Sequence, residues 1–178
     1  RITWEPYKCY HSVTMNERVG LVGVGLLGTA LSERLLAAGY RVTGFDTAPA
    51  QLENLRRIGG DAAASAPQAA AASRRVILCL PTSHAAAAVL DEIAPALSPG
   101  AIVIDTTTGD PDRMAAFGTQ LASRGVHYID ATIGGSSRHV REGQAIVMAG
   151  GDPAVFETCR DLFAAFSRQA FHTGPCGS

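Results

Sequence analysis

The sequence predicts an α/β domain built on a doubly wound, mostly parallel sheet with helices on both faces. Two observations carry that prediction. Short apolar runs alternate along the chain with helical stretches of about 10 to 15 residues, and a glycine-rich turn joins the first such run to the first helix. A length of 178 residues fits one domain, and a chain of that size buries roughly 70% of the surface its unfolded form exposes.

The elements follow in order. Val19 to Val24 reads as a buried strand, after which Leu27, Leu31, Leu35 and Ala38 recur at helical spacing up to a stop at Gly39. Arg41 to Phe45 is a second strand, followed by a helix from Ala48 to Ile58 that ends at Gly59-Gly60. Asp61 to Ala63 and the alanine-rich Ser65 to Ala72 supply a third strand and a small helix. The continuous apolar runs Val76 to Leu80 and Ala101 to Ile104 read as strands covered on both faces, with a helix from Ser83 to Leu97 between them. Asp110-Pro111 is a helix start, N-cap then N1 proline, and Met114, Phe117 and Leu121 form the stripe that helix buries. Val126 to Ala131 is another strand, Gly134 to Ser137 a loop, and Ala145 to Ala149 a further strand. Asp152-Pro153 then opens one last helix lined by Phe156, Cys159, Phe163 and Phe166.

Composition narrows the function classes. Fifteen basic against sixteen acidic residues leave a net charge of −1, without the basic footprint that nucleic acid requires. The apolar stretch from Val19 to Leu31 contains four glycines and is shorter than the roughly 18 residues of a spanning helix, so no membrane segment is expected. Cys9, Cys79, Cys159 and Cys176 show no paired spacing and no His partner, which indicates neither a metal site nor a disulfide framework and fits reduced thiols of a cytoplasmic protein. Residues 1–14 hold the single Trp, two of the four Tyr and the single Lys; without periodicity they read as a disordered extension ahead of a domain spanning 15–178.

Gly23-Val24-Gly25-Leu26-Leu27-Gly28 is a G-x-G-x-x-G between strand and helix. Its glycines serve a tight turn, close backbone approach to a pyrophosphate, and close helix-to-strand packing. The N–H groups of Leu26 and Leu27 at the helix start are placed to receive phosphate oxygens. Asp46 ends the second strand 18 residues after Gly28, where a carboxylate bonds the adenosine ribose hydroxyls; the same residue also suits a capping role at the strand-to-helix turn. A carboxylate there repels a 2′-phosphate, and Thr47, Ala48, Pro49 and Ala50 offer no arginine to hold one, so NAD is preferred over NADP. A P-loop would need a lysine that this turn lacks, and a methyltransferase loop an acidic residue missing from Val19-Gly20-Leu21-Val22. The fold is therefore of Rossmann type.

Further segments agree with this turn: Cys79-Leu80-Pro81 with Ala85, Asp105-Thr106-Thr107-Thr108 with Pro111, Asp130-Ala131-Thr132-Ile133-Gly134-Gly135-Ser136, and Gly143 to Gly151. Together they resemble the β-hydroxyacid dehydrogenase family, which includes 3-hydroxyisobutyrate dehydrogenase, tartronate semialdehyde reductase and 6-phosphogluconate dehydrogenase. The resemblance runs from about Arg18 to Ser178 and implies that Leu80, Pro81, Ala85 and Thr108 line the cofactor, Thr108 near its nicotinamide half. It implies that Gly134, Gly135 and Ser136 approach a small hydroxyacid or semialdehyde substrate. Two departures stand out: Gly134 occupies the place of the family's carboxylate-holding serine, and Thr132 that of its proline. His84, His127 and His172 read as packed or surface residues, and His139 is the one histidine near the substrate loop.

The resemblance also implies that the proton-transferring group is a lysine on a helix beyond the turn Gly174-Pro175-Cys176-Gly177-Ser178, past Ser178, so that no catalytic residue is expected in this chain. A helical domain following that turn would close the substrate side and supply the contacts of a homo-oligomer. Two alternatives stand beside this reading: an imine-reductase-like enzyme of the same fold with another proton donor, and a non-catalytic dinucleotide-binding module.

Overall fold

The computed structural model describes residues 16–178; the segment 1–14 read as an extension lies outside the described residues. The chain runs β1 (Arg18–Val22), α1 (Leu26–Ala37), β2 (Arg41–Phe45), α2 (Pro49–Arg57), β3 (Asp61–Ala62), α3 (Ala66–Ala71), β4 (Arg75–Leu78), α4 (Ser83–Ile93), β5 (Ile102–Asp105), α5 (Pro111–Ala122), β6 (His127–Gly134), α6 (Ser137–Arg141), β7 (Ala145–Gly151), α7 (Pro153–Thr158), α8 (Arg160–Phe166) and β8 (Ser167–Gly174). A 3-10 turn at Ala94–Ala96 extends α4.

All eight strands form one sheet in the order β3-β2-β1-β4-β5-β6-β7-β8. Every neighbouring pair is parallel except β6 and β7, which run antiparallel. The chain builds outward from β1 through β2 to β3, then returns so that β4 lies on the other side of β1. That reversal opens a crevice past the carboxyl ends of β1 and β4, where ligands of such sheets bind.

Side chains alternate between two cores, as the period of a strand requires. Leu21, Ile77, Ile104 and Ile129 face a layer of α1, α6 and α8 through Leu31, Leu35, Val140, Phe163 and Phe166. Val22, Val76, Leu78, Val103 and Tyr128 face α3, α4 and α5 through Ala69, Ala86, Leu90, Met114 and Phe117. The two Asp-Pro starts behave as their sequence dictates: Asp110 accepts from the Arg113 N–H, and Asp152 from those of Ala154 and Val155.

Two expectations need correction, and one strand went unread. Gly134 to Ser137 is not simply a loop, because Gly134 ends β6 and Ser137 begins α6; a five-residue helix is too short for periodicity to reveal. The last helix is two, α7 and α8, separated by a single turn residue at Cys159, whose φ −103° and ψ −2° depart from ideal helical values. The buried phenylalanines keep helical spacing across the break, which hides it. Finally, β8 carries no alternation in its sequence, since as an edge strand it leaves five of its eight residues exposed.

Candidate dinucleotide-binding site

The turn after β1 is held from both sides. Gly23 has φ +95°, and a Cβ there would strike the Cys79 carbonyl oxygen, so only glycine lets the ends of β1 and β4 meet. Gly28 lies against the Gly23 carbonyl, again without room for a side chain. Gly25 is different: a Cβ added to it would meet no atom within 4 Å. The backbone at Gly25 thus borders open space rather than protein, as the close approach of a pyrophosphate demands. Gly25 is the N-cap of α1 and offers no side-chain cap, which leaves the first N–H groups of the helix, those of Leu26 and Leu27, to an anionic ligand. The Leu26 side chain is 82% exposed.

Asp46 serves this turn directly. Its Oδ2 accepts from the Val24 N–H at 2.7 Å, inside the glycine turn, and its Oδ1 from the Ala48 N–H at 2.9 Å. The capping role foreseen for it is therefore present. A carboxylate offers about four acceptor positions, so the two remaining lone-pair sites stay open to ribose hydroxyls, and the roles are compatible.

Leu80 and Pro81 follow the end of β4, with Ala85 in the first turn of α4. The three threonines that follow β5 divide their labour. Thr106 Oγ1 donates to the Leu78 carbonyl at 2.7 Å, and Thr107 Oγ1 accepts from the Leu80 N–H at 3.3 Å, so both are buried ties between β4 and β5. Thr108 alone of the three is exposed. Asp105 anchors the same loop: it is fully buried, accepts from the Thr107 N–H and from the Tyr128 hydroxyl, both at 2.9 Å, and burial raises its pKa from the ordinary 3.8. Cys79, under the turn, is pushed by burial up to about 11 and stays a neutral thiol.

Gly134, Gly135 and Ser136 follow one another at the end of β6, with Gly135 and Ser136 exposed. A Cβ at Gly134 would make only ordinary contacts, 3.6 Å from the Ile146 carbonyl and 3.7 Å from Met148, so the backbone does not demand glycine there. His139 is tied to Ser136: its Nδ1 accepts from the Ser136 N–H at 3.1 Å and lies 3.0 Å from Ser136 Oγ. His172 packs on Phe156 and reaches the Gly151 carbonyl at 2.8 Å. Two residues quoted within the sequence motifs were not among the expected site residues. Thr107 joins the Leu80 and Thr108 segments, and Asp130 holds the C-terminal turn. The hydroxyl-bearing run after β5 was the signal for the first; nothing in the sequence marked the partners of the second.

At the opposite ends of the strands lies a cavity of about 560 Å³, lined by Glu17, Arg75, His127, Thr158 and Asp161 among others. Arg75 there bonds Glu17 at 2.6 and 2.8 Å and Asp161 at 2.7 and 3.0 Å. Arg75, Ile102 and His127 begin β4, β5 and β6, so this cavity is remote from the crevice and has no part in it. No helix among the described residues is long and apolar enough to cross a membrane.

Known proteins share the sequence pattern and the fold. An "NAD-dependent L-serine dehydrogenase" of Pseudomonas aeruginosa is 31% identical over 165 residues, and an "L-threonate dehydrogenase" of Cupriavidus necator 27% over 163. These alignments take in 91% and 90% of this chain but 55% of each relative, so the chain spans about half their length. Among solved structures, 3-hydroxyisobutyrate dehydrogenase of Mycobacterium tuberculosis, solved with L-serine, superposes with a TM-score of 0.89 at 26% identity, over 92% of this chain and 56% of that one. An imine reductase of Streptomyces aurantiacus shares the fold, with a TM-score of 0.84 at 21% identity over 90% of this chain and 56% of that one. Residues 18–174 match the family described as the NAD binding domain of 6-phosphogluconate dehydrogenase, and the chain belongs to that family of NAD(P)-binding domains.

Proposed function

We propose that this chain is the dinucleotide-binding half of an NAD-dependent oxidoreductase that interconverts a small β-hydroxyacid and its carbonyl form. The observation that carries this reading is the coupling of Asp46 to the glycine turn through the Val24 N–H. It ties the carboxylate offered for the ribose to the backbone offered for the phosphates.

A bound nicotinamide would supply the hydride acceptor or donor. The chain's residues would hold the dinucleotide in sequence: Asp46 at the adenosine ribose, the N–H groups of Leu26 and Leu27 at the pyrophosphate beside Gly23, Gly25 and Gly28, and Leu80, Pro81, Ala85 and Thr108 along the other half. The Asp46 charge favours NAD over NADP. Gly134, Gly135 and Ser136 border the substrate position. Hydride transfer to or from an alcohol carbon needs a group within hydrogen-bond reach to take or give the hydroxyl proton. Residues 16–178 contain no lysine, and His139, beside the substrate position, is engaged by Ser136. On this reading the proton moves through the lysine that the family resemblance implies beyond these residues.

Calorimetric titration with NAD and NADP, beside a turnover assay with NADH and short semialdehydes, tests both halves. Tighter binding of NAD without turnover is the expected result. Equal or tighter binding of NADP would overturn the role of Asp46, and robust turnover would overturn the missing proton donor.

A further inference from the structure

Asp130 sits where β6, β7 and the C-terminal turn converge, and nothing in the proposed chemistry uses it. One carboxylate oxygen accepts from the Gly150 N–H of β7 at 2.7 Å, and the other from the Gly177 N–H of the turn. The turn occupies a slot with no spare volume. A Cβ on Gly150 would strike Asp130 and lie 2.5 Å from the Pro175 carbonyl oxygen. Gly177 has φ +85°, and a Cβ there would come within 2.5 Å of the Pro111 carbonyl oxygen. Cys176 lies over Gly118 of α5, where a Cβ would stand 3.1 Å from its sulfur, and its thiol donates to the Tyr128 carbonyl at 3.5 Å. Three glycines on three elements thus keep the slot open, and one carboxylate closes it.

The slot adjoins the crevice. Pro111, which Gly177 touches, begins α5 directly after the loop that bears Thr108. With the adenosine ribose at the end of β2 and the pyrophosphate at the end of β1, strand order carries the rest of the dinucleotide over the ends of β4 and β5, toward that loop.

We propose that Asp130 is a positioning residue for the nicotinamide end of the site: by clamping the turn Gly174–Ser178 between β7 and the start of α5, it fixes the loop Thr106–Asp110. The proposal rests on the dinucleotide reading of the crevice. Asparagine cannot replace the carboxylate, because it has one acceptor oxygen and its amide group would oppose the second N–H donor.

The test compares this chain with Asp130→Asn and with Gly177→Ala, which disturbs the turn while leaving the carboxylate intact. Calorimetry with ADP and with NAD, and alkylation of Cys176 against Cys79 and Cys159 read by mass spectrometry, give the outcomes. Both variants are expected to bind ADP within about twofold of the parent, because Asp46 and the glycine turn share no partner with Asp130. They should weaken NAD about tenfold and speed alkylation of Cys176 alone by a similar factor, the scale of one lost hydrogen bond to a charged group. An unchanged ratio of NAD to ADP affinity in either variant overturns the proposal, whatever happens to Cys176. Loss of ADP binding together with NAD, or faster alkylation of all three cysteines, overturns it too, by showing a general support of the fold. Failure of the unmodified chain to bind ADP would refute the dinucleotide reading itself, and that arm is read before any variant is made.

Discussion

Replacing Gly25 with alanine should weaken dinucleotide binding about a hundredfold while leaving the domain folded, and the contrast with Gly28→Ala isolates the reason. Gly25 has φ −67° and ψ −158°, a conformation alanine adopts freely, and the added methyl meets no protein atom within 4 Å. The effect on stability should stay within about 1 kcal/mol, the weaker N-cap being partly offset by a less flexible unfolded chain. The methyl instead occupies the space in which a pyrophosphate would approach the N–H groups of Leu26 and Leu27. Two hydrogen bonds to a charged group, at about 1.5 kcal/mol each at the least, amount to roughly 3 kcal/mol, which is about a hundredfold in Kd. Gly28→Ala reverses the balance, because its methyl would strike the Gly23 carbonyl. Backbone cannot yield as a side-chain tip does, so a loss of about 3 kcal/mol is expected, or roughly 6–12 °C in Tm for a domain of this size. Calorimetric NAD titration and thermal melts of both variants provide the check. A Gly25→Ala chain that binds NAD within about threefold of the parent would show that no phosphate lies there, and the assignment of the turn would fall.

Three other perturbations probe distinct parts. Asp46→Asn leaves a single acceptor oxygen for Val24 and Ala48 and removes the charge facing the ribose, so NAD should weaken by about tenfold and NADP by less; a uniform loss, measured by paired titrations, would make Asp46 purely structural. Arg75→Ala strands Asp161 and Glu17, whose side chains are 18% and 30% exposed, and should cost about 3 kcal/mol in urea unfolding, the low end for a broken buried pair, with NAD affinity unchanged. Asp161 is held below its ordinary 3.8 because the hydrogen bonds from Arg75 and Tyr40 outweigh burial. Its stabilisation is therefore present above that value and is lost as pH falls through the lowered one; a variant with the same acid limb as the parent would contradict this. Asp105 has the opposite sign. Burial raises its folded pKa above the ordinary 3.8, so the folded state holds the proton longer, and stability declines as pH rises from 3.8 through the raised value. The stability of Asp105→Asn relative to the parent should grow over that window, and parallel curves from urea titrations would refute the assignment.

What the sequence disclosed and what it hid divide along a physical line. Gly23, Gly25 and Gly28 were legible because their constraints are local: a turn, a helix start and a strand end within six residues. Asp46 was legible because the strand and helix between it and Gly28 have a length set by the sheet. The strands up to β6 and their parallel sense followed from alternation with helices, since buried parallel strands such as Val76 to Leu78 are apolar throughout. The scheme failed where the chain stops alternating. After β6 one antiparallel pairing interrupts the sheet, a helix of five residues replaces the crossover, and the edge strand β8, parallel to β7, has one neighbour and five exposed residues that leave little pattern. Asp130 belongs to that region. Its partners Gly150 and Gly177 lie 20 and 47 residues away, and each is a backbone N–H, a donor that nearly every residue possesses and that no side-chain pattern can advertise. Side-chain chemistry can be read from a string of letters; a carboxylate satisfied wholly by distant backbone becomes visible only once the strands that bear it are paired.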